Sequence, residues 1–383
     1  MDLDSFFVSV ERLFDKNLVG KPVIVGGTSN RGVVSSCSYE ARKFGVQSAM
    51  PIVQARKLCP QGIFVRGRYE EYGRFSGMVT DIITDKSPLF EKASVDEFYV
   101  DLTGMDKYFG VYDWSTNLRK KIISETGLPI SFGLSVNKML AKMATNEAKP
   151  NGQYMIEPGK EQGFLDPKPV SRIPFCGEKT VAYLKKRGVD TIYQLRQFSI
   201  EALENWLGKH GVYLWQRAHG IDNSEVHPFH DSKSISSERT FSTDTGDRDW
   251  LGRVIIVGLV EKIAFELRGD KKLTTCVGVK IRYADFSTHT IQRAITATAN
   301  TKVLTEYALR LFDEGYRDNN KVRLLGVKFT ELVNGGYPIN LFEDNEKGVQ
   351  LYKAIDELKD KHGTNKITLA QNIHKSNLKS NDR

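Results

Sequence analysis

Cysteine is scarce in this sequence: four thiols in 383 residues, at positions 37, 59, 176 and 276. No two stand close enough for a C-x-x-C pair, which argues against a cysteine zinc site. Scattered free thiols suit a reducing cytosol. Long apolar runs are also missing. No stretch reaches the length of a membrane span, so no membrane partner is expected. The first residues carry acids rather than a basic segment followed by an apolar core, so no secretory leader is expected. There is no repeat of fixed period and no low-complexity tract.

What is present is an ordinary globular balance, 40% hydrophobic and 27% charged. One hydrophobic core rarely serves more than about 250–300 residues, so several domains are expected. The net charge is +8 and the pI about 9.1. That balance suits a polyanionic partner, most simply nucleic acid, and equally a merely basic surface.

Periodicity divides the chain. Residues 1–4 end a strand, and a helix follows with Ser5 as its expected cap and Phe6, Val10, Leu13 and Phe14 at helical spacing. Residues 22–25 and 33–36 read as short strands, with a helix from Tyr39. Residues 72–85 and 113–126 are helical, two strands in 90–102 meet near 94–97, and strand 130–135 leads to helix 138–147 and strand 154–156. This is an α/β core with an insertion after its first helix. Residues 160–228 read as short helices, and 227–237 as a polar linker. From 235 to 332 a second β-α-β-β-α-β pattern appears, followed by a tail with a helix at 349–361.

Two acidic motifs stand out: Asp2-Leu3-Asp4 at a strand end, and Asp96-Glu97 between two apolar strands. Each alone is as readily a solvated carboxylate. Together they fit two-metal phosphoryl transfer, which needs several carboxylates on rigid elements, and magnesium favours such oxygen ligands. Tyr39 and Arg42, three apart, share a helix face, and an arginine fork suits a phosphate. Lys149 precedes Pro150 at a helix end.

The segments Met-Asp-Leu-Asp-Ser-Phe-Phe-Val-Ser-Val-Glu11, Ser-Tyr-Glu-Ala-Arg-Lys-Phe-Gly-Val46, Ser-Val-Asp-Glu97 and Ala-Lys-Pro-Asn-Gly152 occur in one order. So do Ser48-Ala-Met-Pro51, Ala55-Arg-Lys-Leu-Cys-Pro60 and Gly133-Leu-Ser-Val-Asn-Lys138. Over 1–332 the chain resembles the Y-family, or lesion-bypass, DNA polymerases, most of all the bacterial polymerase IV (DinB) group.

The resemblance implies an α+β, α/β multidomain right-hand fold. Its parts would be a ferredoxin-like palm (1–11 and 68–159), small fingers (12–67), a helical thumb (160–228), a linker (229–234), a βαββαβ little finger (235–334) and a C-terminal tail (335–383). It implies a low-fidelity, low-processivity translesion polymerase acting in DNA damage tolerance, a monomer of the bacterial cytoplasm and nucleoid. Its partners would be primer-template DNA, deoxynucleoside triphosphates and two Mg²⁺, with Mn²⁺ as a substitute. Asp2, Asp96 and Glu97 match the family's metal carboxylates, with the Leu3 carbonyl as a further ligand. Phe7 matches the steric gate, Ser35 a small residue roofing the nascent base pair, and Ser36, Tyr39, Arg42 and Lys149 the triphosphate contacts.

In the thumb-like region, Phe175-Cys-Gly177 stands where the family has a Gly-x-Gly phosphate-gripping hairpin. Lys271, Lys272, Lys280, Arg282 and Arg293 are expected to track the DNA backbone, making binding salt-sensitive. Tyr337-Pro-Ile-Asn-Leu-Phe342 resembles a sliding-clamp peptide without its glutamine, anchored by Ile339, Leu341 and Phe342. Only Met1 precedes Asp2, so either the start is trimmed or the strand is very short, and a loose Asp2 would weaken metal binding. Two other readings compete. A non-catalytic DNA- or clamp-binding relative would lack the acids. Another nucleotidyltransferase or a cyclase would not need residues 235–332 or the tail peptide.

Overall fold

The computed structural model describes residues 1–27, 29–108, 110–228, 231–335, 346–363 and 367. The chain forms two compact units, 1–230 and 231–383.

The first unit opens with strand β1 (Asp2–Leu3), helix α1 (Phe6–Phe14), β2 (Val23–Gly26), β3 (Val34–Cys37) and α2 (Tyr39–Arg42). It continues with α3 (Ile52–Leu58), β4 (Ile63–Val65), α4 (Tyr69–Lys86), β5 (Leu89–Lys92), β6 (Phe98–Asp101) and α5 (Val111–Thr126). Strand β7 (Ile130–Leu134), α6 (Lys138–Ala148) and β8 (Gln153–Met155) complete its sheet region. Strand β1 pairs antiparallel with β7, and β7 parallel with β8. The β5–β6 hairpin joins the other edge of β1 through an Asp2–Glu97 bridge. The result is one layer in the order β8-β7-β1-β6-β5. Helices α1, α4 and α5 bury Phe6, Val10, Tyr72, Val79, Ile83, Leu118 and Ile122 against it.

The insertion has its own small core. Strand β2 lies between β3 and β4, and Ile24, Val34, Ala41, Ile52 and Ala55 fill the space beneath α2 and α3. Ser5 does not cap α1 as expected. Its backbone is left-handed (φ 43) and its side chain makes no cap bond. The Ser9 hydroxyl, which donates to the Asp4 carbonyl at 2.7 Å, ties this turn together instead.

Five helices follow: α7 (Glu161–Leu165), α8 (Glu178–Lys185), α9 (Ile192–Arg196), α10 (Ile200–Leu207) and α11 (Lys209–Ala218). Their core is continuous with one face of α6, through Met139, Leu140, Met143 and Ala144. The boundary expected at 160 is therefore a change of secondary structure and not a break in packing.

The second unit runs β9 (Ser234–Thr245), α12 (Arg248–Trp250), a π-helical turn (Leu251–Ile256), α13 (Val257–Gly269), β10 (Lys272–Tyr283), β11 (Thr288–Thr298), α14 (Thr301–Gly315), β12 (Val322–Asn334) and α15 (Glu346–His362). Its sheet is antiparallel in the order β11-β10-β12-β9. Helices α13 and α14 cover one face through Val260, Ile263, Leu304 and Leu311, against Val277, Val279, Ile281 and Phe329. The expected linker 227–237 is corrected at its end, because residues 234–237 already pair with β12. The helix expected at 349–361 is present as α15, and it is docked on the rest of the unit. Asp356 accepts two bonds from the buried Arg268 guanidinium (2.6 and 2.8 Å), and buried Lys359 reaches Glu261 at 2.8 Å.

Candidate active site

Strand β1 has only two residues, yet it is fixed along both edges. The Met1 amine donates to the Phe98 carbonyl at 2.8 Å and the Phe98 amide to the Met1 carbonyl at 3.0 Å. The Leu3 amide donates to the Asp96 carbonyl and the Asp4 amide to the Pro129 carbonyl, both at 2.9 Å. These bonds anchor Asp2 despite the short strand: it is buried at the centre of the layer. The same pairing sets the 94–97 turn beside it. The Ser94 hydroxyl shapes that turn, accepting from the Asp96 and Glu97 amides and donating to the Asp96 carboxylate at 2.6 Å.

Helix α6 lies across this acidic cluster because residue 133 on β7 is glycine. A Cβ there would stand 2.3 Å from the Ala141 carbonyl oxygen and 2.4 Å from the Thr145 amide nitrogen. The close approach brings in Lys142, whose ammonium donates to Asp2 at 2.7 Å and to Glu97 at 2.5 Å. Lys149, just past the helix end, donates to the other Asp2 oxygen. Burial alone would raise the Asp2 carboxyl, but Lys149 and Lys142 together hold it below the usual carboxylate range. Asp96 moves the other way. Burial raises it, and the neighbouring Asp2 and Glu97 charges add to the rise.

Asp4 is a hub that spacing and residue type do not single out. Its buried carboxylate accepts from the Tyr39 hydroxyl (3.1 Å), the Ser131 hydroxyl (2.8 Å) and the Asn151 amide (2.7 Å). It therefore fixes α2, β7 and the 149–151 turn to one point. Arg119 braces that turn from outside, donating to the Asn151 carbonyl and side chain, each at 2.6 Å. Replacing Asp4 with alanine is expected to cost about 2–4 kcal/mol, since it orphans three donors of a charged acceptor. It is also expected to raise the nucleotide KM. Thermal unfolding and steady-state kinetics check both, and a wild-type KM in a folded variant would refute the coupling.

Arg42 lies over the Tyr39 ring at 4.7 Å and reaches the Ser5 hydroxyl at 3.4 Å. Ser36 is buried in β3. Phe7 stacks on Tyr72 (4.2 Å between centroids, 9° between planes) and meets Tyr69 edge-on at 6.0 Å. The Tyr72 hydroxyl donates to buried Glu11 at 2.7 Å, and Tyr69 shares a hydrogen bond with Ser35 at 3.0 Å. Phe7 and Ser35 thus meet through an aromatic pair three apart on α4, whose spacing is the signal in the sequence that marks one helix face.

Phe175 takes a left-handed backbone (φ 63), a conformation natural to glycine, and its ring is 86% exposed. In the second unit the expected basic residues separate. Lys280 and Arg282 lie on the sheet face away from the helices, where Lys328, opposite Gly278 on β12, joins them. Lys280 pairs with Glu238 at 2.9 Å. Arg293 projects to the helix side and pairs with Glu314 at 3.0 Å. Lys272 is buried with its ammonium on Asp231 at 2.9 Å, so it offers no surface charge. Lys271 precedes it with a positive φ of 54°. Ile339, Leu341 and Phe342 lie outside the described residues.

Among the described residues, no group of three or more His, Cys, Asp or Glu side chains is arranged to hold a metal ion. The Asp2 oxygens carry lysines instead. The donor chemistry nonetheless suits a hard divalent cation: three carboxylates, with mutual repulsion felt at Asp96. No helix among the described residues is long and apolar enough to cross a membrane.

Carboxylates at the mid-sheet strand and the adjoining hairpin turn stand beside Tyr39, with Arg42 over its ring, and the turn that carries Lys149, both tied to Asp4, a charge arrangement that suits phosphoryl chemistry. Residues 1–146 match the model of the impB/mucB/samB family, and residues 232–341 that of the family's C-terminal domain. The DNA polymerase IV of Dehalococcoides mccartyi is 38% identical over 372 residues, covering 96% of this chain and 95% of the relative. That of Treponema denticola is 38% identical over 381 residues, covering 98% and 96%. Among solved structures, a Y-family DNA polymerase chimera superimposes with a TM-score of 0.74 at 25% identity, covering 87% of this chain and 98% of that one. An insertion ternary complex of Dbh DNA polymerase gives 0.64 at 25% identity with the same coverage. The chain belongs to the impB/mucB/samB family and is a Y-family DNA polymerase of the polymerase IV (DinB) type. It is a DNA-directed DNA polymerase of the translesion class, which removes the accessory-protein and cyclase readings.

Proposed function

We propose that this polymerase extends a primer on template DNA with deoxynucleoside triphosphates at Asp2, Asp96 and Glu97, with two Mg²⁺ ions as cofactors. The observation that carries this is the backbone pairing of β1 with the 94–97 turn, which brings the chain segments bearing the three acids side by side. Bound ions would supply positive charge at the primer 3′-hydroxyl and at the triphosphate. Asp2, Asp96, Glu97 and the Leu3 carbonyl would hold them. Tyr39, Arg42, Lys149 and Ser36 would grip the triphosphate, Ser35 would roof the base pair, and the Phe7 ring would exclude a 2′-hydroxyl.

Residues 1–11 and 68–159 act as palm, 12–67 as fingers, 160–228 as thumb and 235–334 as little finger. The small core of the fingers supports loose checking of base-pair shape. Phe175 supports a hairpin of the phosphate-gripping shape despite the missing glycine. Lys280, Arg282 and Lys328 are the backbone contacts that the sheet face favours, ahead of Arg293. Docking of residues 337–342 on a sliding clamp rests on their sequence. The deciding measurement is primer extension with Mg²⁺ on defined templates. Addition of the complementary nucleotide is expected, and failure to extend on every template sinks the proposal.

A further inference from the structure

Lys142 stands out among the charged groups of the first unit, because it belongs to neither the expected carboxylates nor the expected triphosphate contacts. Its ammonium touches two of the three acids, Asp2 at 2.7 Å and Glu97 at 2.5 Å. It arrives through the rigid core of α6, where Leu140, Met143 and Ala144 are buried and Gly133 permits close packing. Around it stand these acids, Lys149 on the same Asp2, the Met1 amine and Tyr99 of β6.

We propose that Lys142 is a built-in competitor of the divalent metal, a tethered cation that neutralises Asp2 and Glu97 and must yield those oxygens when an ion is taken up. The inference rests on Asp2 and Glu97 being metal carboxylates. Two consequences follow from charge alone. With the ammonium in place, the repulsion between Asp2 and Glu97 is offset before any ion arrives. The same ammonium weakens divalent binding, because it occupies the ligand oxygens and repels the ion. Metal uptake is thereby set to the concentration at which a divalent ion, helped by a nucleotide's phosphates, outcompetes one lysine. Lys149 differs, since it touches Asp2 alone and sits on a turn rather than within a helix.

The test is Mn²⁺ titration of the full chain without DNA or nucleotide, read by electron paramagnetic resonance, with thermal unfolding in parallel. Lys142→Met and Lys142→Gln are expected to tighten Mn²⁺ binding by about tenfold, the scale for removing a unit charge near a divalent ion in a partly solvated site. Their unfolding midpoints are expected to fall without Mn²⁺ and to recover with it. Lys142→Arg, which keeps the charge, is expected to bind Mn²⁺ much as the parent does. Unchanged or weaker Mn²⁺ binding in both neutral variants overturns the proposal, as does tightening by the arginine variant. Asp2→Asn tests the underlying reading separately. If it leaves Mn²⁺ affinity intact, the carboxylate assignment fails whatever the lysine variants do.

Discussion

Alanine at position 96 is expected to abolish Mg²⁺-dependent primer extension, by about three orders of magnitude or more, while leaving DNA binding near the parent level. The reason is the position of Asp96 in the turn. Its side chain is not part of the sheet or its core; among the described residues its one hydrogen-bond partner is Ser94, at 2.6 Å. Removing it should therefore leave the Leu3–Asp96 backbone bond and the fold intact. What is lost is an oxygen ligand of the proposed ions, and metal-borne charge stabilisation is worth several kcal/mol, each ~1.36 kcal/mol being tenfold in rate. Single-turnover extension and a DNA-binding titration separate the two effects. Extension at the parent rate by Asp96→Ala would remove the two-metal proposal.

The second large effect concerns the sugar. Phe7→Ala is expected to raise ribonucleotide incorporation relative to deoxynucleotides by roughly 10–200-fold, the span over which a pocket discriminates by one small group. The ring is not free to swing away. It is stacked on Tyr72 at 4.2 Å, and Tyr72 is pinned by its bond to Glu11. A gate is effective only when backed, so Tyr72→Ala should shift discrimination in the same direction by a smaller factor. Competition assays with matched ribo- and deoxynucleotides measure both. Unchanged discrimination in Phe7→Ala would rule out the gate.

Much of this architecture is legible in the amino-acid sequence. The alternation of strands and helices places most element cores, because apolar periodicity is a local property. The acids, the Tyr39–Arg42 face and Lys149 are legible as residue types in a particular order. Other features are not. Asp4 reads as one more acid of an Asp-x-Asp motif, yet it fastens three segments, one of them 147 positions away. Lys142 carries no signal in the sequence that sets it apart from other helix lysines. Lys272 reads as a DNA contact, yet it lies buried on Asp231. In each case the deciding partner is remote in sequence, so no local spacing records it. Arg293 and Lys328 exchange places for a related reason: strand register decides which face a basic residue occupies, and a shift of one residue reverses it.

The sequence by itself determined the chemistry available to this polymerase: three acids, a cationic set suited to phosphates and an aromatic near the first strand. Only the tertiary structure decided how those groups are held. Two short stretches of backbone pairing brace a two-residue strand at mid-sheet, and one glycine lets a helix settle close enough to set Lys142 on Asp2 and Glu97. Residue types are properties of single positions. Anchoring and charge compensation belong to pairs, and pairs exist only once distant segments have packed.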